Sequence, residues 1–382
     1  MAFPDLSKVT GGPVDLKGQT FISQVIRDVH GDPTDPIRLF NGTLIDPQIL
    51  DSSHIILDGL TLIGDAGNAA INALASGVQG VYVRRSHHVE VRHCDVSRAY
   101  IGITILESPD CVAIGNTIHD IRTDMIRYVD AERVRIQWNE AFDWRPAPGD
   151  HCDFIQGWNA SLGRVNDGVV ISDNCAWRGA LADFAAMGIN NRYYAPPRTG
   201  FTNMRVARNC LIGLAHNAME LYYDVTAEDN RIYSFPDVKS VILFAASSVK
   251  LSGNAAAGFS PNRKYSTLVP PSADPARPNM LNTPIDPSSV PGLLAEWQKA
   301  RDAALRGGVP ASSPTPEPAP VPETPPVSDP EPNPEEPAPE PNPEPGEETP
   351  TPTPETPPVA DLAAYLGPDL IAALDARYMR RA

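Results

Sequence analysis

The chain has 382 residues, among them 41 Pro, 27 Gly and five Cys, and 7% of it is aromatic. Acids outnumber bases 47 to 31, giving a formal net charge of −16. That balance argues against a dominant nucleic-acid-binding face. No apolar run reaches the ~20 residues a membrane helix needs, so no membrane insertion is expected. Five scattered cysteines do not form a disulfide framework.

Residues 1–50 are punctuated by Pro4, Gly11-Gly12-Pro13, Asp32-Pro33 and Asp35-Pro36. The opening M-A-F-P-D-L-S-K lacks a basic segment followed by an apolar core, so no secretory signal is expected. The segment reads as a cap over the open end of the neighbouring repeat region, or as an attachment segment.

Residues 51–258 carry an internal repeat. Segments beginning at Ser86, Ser108, Ala131, Asn166, Phe201, Asp224 and Ser247 share one frame: apolar, any, apolar, any, any, Asn. Asn139, Asn174, Asn209, Asn230 and Asn254 fill the last position. Cys94 and Thr117 fill it in earlier copies, with Asn116 one residue early. The steps are 23, 22, 35, 35, 21 and 24 residues. Each copy continues into a second alternating stretch, such as Ile101 to Leu106 or Met219 to Tyr223. Two or three short strands per 21–24 residues predict one coil of a parallel β-helix, with Val, Ile and Leu inward. Asn recurring at one turn predicts a ladder of stacked amides. The two long steps hold insertions of about 12 residues, which in solenoids become loops on one face, often the binding face.

On these V-x-I-x-x-N coils the chain resembles the right-handed parallel β-helix (pectate-lyase-like) superfamily, an all-β fold. Within it the resemblance is greatest to viral spikes, either a phage tailspike or a head spike of a phage or gene-transfer agent. The compact coils, short preceding segment and appended spacer carry that comparison. The resemblance implies a homotrimer on the virion surface. The calcium site of pectate lyases and the Asn-Thr-Asp and Asp-Asp motifs of polygalacturonases are not found, so no catalytic residue carries over.

Residues 259–308 hold a Pro-rich run and a predicted helix from Pro291 to Arg306, whose Leu293, Leu294, Trp297 and Leu305 suit a cap on the other end. Residues 309–358 contain 21 Pro, 10 Glu, one Asp and no Lys or Arg. Such a segment buries too little to offset its ordering entropy and reads as an extended disordered linker. At roughly 3.1 Å per residue it spans up to about 150 Å. Residues 359–382 return to apolar residues at helical spacing, split by Gly367-Pro368, and read as a docking or oligomerisation peptide.

The densest polar constellation is Asp150-His151-Cys152-Asp153, followed by Gln156 and Trp158. Aligning Phe154 with Phe184 places Asp153 over Asp183, about 5 Å apart. Glu220 lies one coil further, and Asp124 and Arg127 one coil earlier. Asp153, Asp183 and Glu220 are therefore the candidate catalytic residues: paired carboxylates suit glycoside hydrolysis, and their proximity raises one pKa. Asp150, His151, Gln156, Trp158, Arg127 and Tyr222 are candidate substrate-binding residues. So are Arg192, Tyr193 and Tyr194 in a predicted insertion loop, because aromatic rings suit sugar faces. Asp150 and Asp153 holding loop amides is the structural alternative. No metal or cofactor is expected: His87, His88 and His93 read as surface groups without acidic partners at ligand spacing. The cysteines read as small buried residues.

The function expected is a virion spike, tail or head, that binds a bacterial cell-surface polysaccharide and contacts other virion proteins. A polysaccharide hydrolase or lyase and a structural virion connector are the alternatives.

Overall fold

The computed structural model describes residues 2–307, apart from 68, 160–164, 180–186, 194–200, 216, 245–248 and 262–268. The predicted linker and terminal peptide therefore lie outside the described residues.

The described chain winds into a parallel β-helix. One sheet stacks ten strands, from Val25–Arg27 to Phe259–Pro261. A longer sheet bends around a corner to make the other two faces; its strands Gly12–Ile22 and Ile37–Ile45 run through that corner unbroken. Apolar side chains of all three faces meet on the axis, where Leu39, Ile55, Val81, Ile103, Ile136, Ile171, Val206 and Met219 are fully or almost fully buried. Tyr128 also points inward, and Gly157 on the next coil must be Gly: a Cβ there would lie 2.1 Å from the Tyr128 ring.

The Asn repeat forms the predicted ladder. Asn174 is representative: its Nδ2 donates to the Ile136 carbonyl at 2.9 Å and to Asn209 Oδ1 at 2.9 Å. Its Oδ1 accepts from Asn139 N at 3.0 Å and Asn139 Nδ2 at 2.9 Å. Asn116, Asn139, Asn209, Asn230 and Asn254 repeat this pattern, and Asn279 ends the column. Each preceding residue is left-handed, as at Trp138 (φ 57), Asp173 (φ 61) and Gly253 (φ 65). That one residue turns the chain so that Asn faces inward beneath the corner. A second corner uses serine hydroxyls, with Ser52, Ser86 and Ser108 accepting from the backbone N–H groups of Val29, Ser52 and Ser86.

Four expectations change. Asn116, not Thr117, occupies the ladder, and the inward residues of that coil are Cys111 and Ala113, because Ala113 pairs with Ile136. Coils begin at Gly12 rather than residue 51 and continue to Met280–Leu281, beyond residue 258. Helix α1, Val290–Arg306, does not close the far end. It lies as a strap along the outside of the long sheet. Val290 packs with Cys175, Ile212 and Phe235. Trp297 Nε1 donates to the Asp173 carbonyl at 3.0 Å, and Arg301 pairs with Glu140 at 3.2 Å. Trp138 meets Trp297 with ring centroids 6.4 Å apart, because its left-handed turn projects the indole outward. The strap thus runs back from the coil of Phe235 towards that of Gly115.

Candidate functional site

The site lies on the outward face of the ten-strand sheet. Strand alternation directs Ile126, Ile155, Ile189 and Met219 inward, so their following residues face out. These stack in register: Thr104, Arg127, Gln156, Asn190 and Glu220 form one column across five coils. Neighbouring members are one strand spacing apart, about 4.8 Å. Asp124 and Asp153 form a second, shorter column beside it.

Specific contacts tie the columns together. Arg127 donates Nε and Nη2 to Asp124 Oδ2 at 2.9 and 2.5 Å. Asp124 Oδ1 accepts the Asp153 backbone N–H at 3.1 Å. Gln156 Nε2 donates to Asp153 Oδ2 at 2.6 Å, and His151 Nδ1 lies 3.2 Å from the same oxygen. Tyr222 Oη donates to Glu220 Oε1 at 2.6 Å. The Arg127 guanidinium sits 5.2 Å above the Trp158 ring. Asp124, Asp153, Asn190 and Glu220 are fully buried, whereas His151 is exposed and Trp158 and Tyr222 are half-buried at the open side.

Burial pushes the Asp124 carboxyl up; Arg127 opposes the rise and the Asp153 charge adds to it. Removing a carboxylate from water disfavours its charged form, and a second carboxylate one coil away does the same. On this face, Asp153 Oδ1, Thr104 Oγ1 and both polar atoms of the Asn190 amide keep hydrogen-bonding capacity unused among the described residues. Buried polar groups normally find partners, so such a cluster on one face calls for a ligand or ordered water.

The structure thus brings together Arg127, Asp153, Gln156, His151, Trp158, Glu220 and Tyr222 on one face. It corrects the stacking of Asp153: its strand partner is Met187, four residues beyond the expected Asp183. Asp183 and Tyr194 lie outside the described residues, as do the side chains of Arg192 and Tyr193. Asp150 does not join the columns. It is held by a bidentate pair with Arg122 at 2.8 and 3.1 Å and accepts the Ala147 N–H at 2.7 Å, which makes it a loop anchor. Asn190 and Asn191 were missed, although the alternation of Met187 and Ile189 signals an outward Asn190. Asn191 positions Tyr222 by two hydrogen bonds to its backbone, accepting from N at 2.8 Å and donating to O at 2.9 Å.

His87, His88 and His93 are exposed, as expected, but their neighbours differ. His93 pairs with Asp58 at 3.1 Å. His87 and His88 instead gather with His54, whose ring centroid lies 4.7 Å from that of His88. The buried cysteines are as expected; burial pushes the Cys94 and Cys111 thiols up to about 12.

No family model and no curated protein matches the chain. Among solved structures it is similar to an alginate lyase from Paenibacillus, at 14% identity and TM-score 0.43, over 65% of this chain and 90% of that one. It is also similar to PfbA, a surface adhesin of Streptococcus pneumoniae, at 12% identity and TM-score 0.41, over 65% and 79%. The Dettilon tailspike protein is a third, at 10% identity and TM-score 0.39, over 71% and 60%. The likeness is one of fold and goes no further.

Proposed function

We propose that this protein is a virion spike that binds a bacterial cell-surface polysaccharide along the Arg127–Gln156–Asn190–Glu220 column. The observation that carries the binding reading is the set of unused hydrogen-bonding groups at Asp153, Asn190 and Thr104. Sugar hydroxyls donate and accept, so they suit both the Asn190 amide and the unused Asp153 carboxylate oxygen. Trp158 and Tyr222 supply rings for sugar faces, and His151 and Arg127 add donors on the open side. The virion setting, contacts with other virion proteins and a trimeric state rest on the sequence organisation: coils, a long Pro/Glu spacer, then a short apolar peptide. Binding of the purified chain to an array of bacterial capsular and lipopolysaccharide glycans tests the reading. Binding that Asp153→Asn weakens about tenfold or more supports it, since charged hydrogen bonds contribute roughly 1.5–3 kcal/mol. Absence of binding across the array overturns it.

A hydrolytic reading is favoured by one observation: Asp124, with its raised pKa, sits one coil from Asp153. Two neighbouring carboxyl groups, one with a raised pKa, are the pairing glycosidases use. Release of reducing ends, abolished by Asp153→Asn, identifies that chemistry. Unsaturated ends indicate a lyase instead.

A further inference from the structure

The serine corner of the solenoid carries residues that the polysaccharide face does not use. The strands Ser53–Asp58 and His87–Arg92 pair with Ser53 opposite His87 and Ile55 opposite Val89, which sets His54 opposite His88. Both are left-handed, at φ 54 and φ 53. The shared turn conformation sends their side chains the same way, so the rings overlie each other, tilted by 30°. His87 closes the group, 5.5 Å from the His54 ring and 5.2 Å from that of His88. One nitrogen of each ring lies within 4.8 Å of the nitrogens of the other two. The backbone beneath is fixed by the Ser52–Ser86–Ser108 hydroxyl column.

A second observation points to a ligand. His54 Nδ1 is buried and has no hydrogen-bond partner among the described residues. Stacking three imidazoles is unfavourable once they are charged. Asp32 acts electrostatically on His54, and Asp110 on His87 and His88, offsetting added positive charge.

We propose that His54, His87 and His88 bind one divalent transition-metal ion, Zn²⁺ foremost, as a cross-coil staple. Imidazole sets suit Zn²⁺, Cu²⁺ and Ni²⁺ rather than Mg²⁺ or Ca²⁺. Zn–N bonds of about 2.0–2.1 Å place tetrahedral ligand nitrogens about 3.4 Å apart. Side-chain rotation of the two exposed rings, His87 and His88, closes the present spacing. Three protein ligands leave one coordination position for water. Because the three residues come from two coils, the ion binds the folded chain in preference to the unfolded one and stabilises it.

The test uses the tag-free full-length chain, stripped by chelator and titrated with Zn²⁺ in a calorimeter, with Co²⁺ absorption as a second readout. The expected result is one ion per chain, a raised melting temperature, and visible ligand-field bands of tetrahedral Co²⁺. His88→Ala is expected to weaken binding about tenfold or more and to abolish the Co²⁺ bands, while His93→Ala leaves both unchanged. If His88→Ala does not fold, His87→Asn, at the other exposed ring, replaces it with the same expected loss. Absence of stoichiometric binding, or full affinity in His88→Ala, overturns the proposal.

Discussion

Two columns of polar side chains run along this solenoid, and their buried asparagines behave in opposite ways. At the corner of the long sheet, Asn139, Asn174 and Asn209 satisfy both side-chain atoms and a backbone N–H of the neighbouring coil. On the ten-strand sheet, Asn190 is equally buried and sits at the same strand spacing between Gln156 and Glu220, yet neither of its polar atoms has a partner among the described residues. Stacking alone therefore does not make a ladder. Closure requires an inward turn residue whose amide meets the next backbone N–H. Where closure fails, the amide keeps its hydrogen-bonding capacity unused among the described residues.

That contrast can be broken by substitution. The largest effect is expected at Asn174→Ala, which strands the Asn139 N–H and the Ile136 carbonyl in the interior. Unmet buried groups cost about 1–3 kcal/mol each, so a loss of about 3 kcal/mol is expected in urea unfolding. Trp297→Ala comes next: it removes the indole on Trp138 and the bond to the Asp173 carbonyl. A half-buried aromatic truncation is expected to cost about 2 kcal/mol, with α1 detaching, as read by hydrogen exchange in the helix. Asn190→Ala is expected to cost less than about 1 kcal/mol, because no side-chain hydrogen bond among the described residues is lost, while weakening glycan binding.

The smallest effect is electrostatic. Asp95, 3.4 Å from Nε2, and Asp120, 2.9 Å from Nδ1, raise the His119 pKa to about 9. A raised folded pKa means the imidazolium contributes stability that is fully present below about 6.5, the unfolded value, and is lost as pH rises through about 9. Partial exposure makes that contribution small. NMR titration of the His119 ring should give a midpoint near 9, well above the ordinary histidine value of about 6.5. His119→Gln should flatten this alkaline loss.

Much of the coil region was legible because a β-helix writes its cross-section into sequence every turn. The Asn column and the alternating Val and Ile identify it. The first two coils were not legible because Gly12–Ile22 and Ile37–Ile45 cross the corner as continuous strands and need no Asn there. Asn116 was displaced by one residue because Cys111 and Ala113, small inward residues, make Val112 and Ile114 look like the apolar frame. Most of the polar face was readable from alternation, but its register beyond Asp153 was not: insertions change the coil length, and Phe184 offered a false match four residues early. The strap position of α1 has no local signal, since an amphipathic helix does not specify which surface receives it. The gathering of His54 with His88 depends on pairing across 34 residues and on two left-handed turns, neither of which spacing reveals.

Closed and open amide columns are the central distinction in this molecule, and a paired urea denaturation of Asn174→Ala and Asn190→Ala measures it directly. The expected result is a stability gap of about 2 kcal/mol or more, with Asn174→Ala the weaker protein. Equal losses, or a larger loss for Asn190→Ala, would mean that the ten-strand face is as much a part of the scaffold as the ladder and would contradict its assignment as a binding surface.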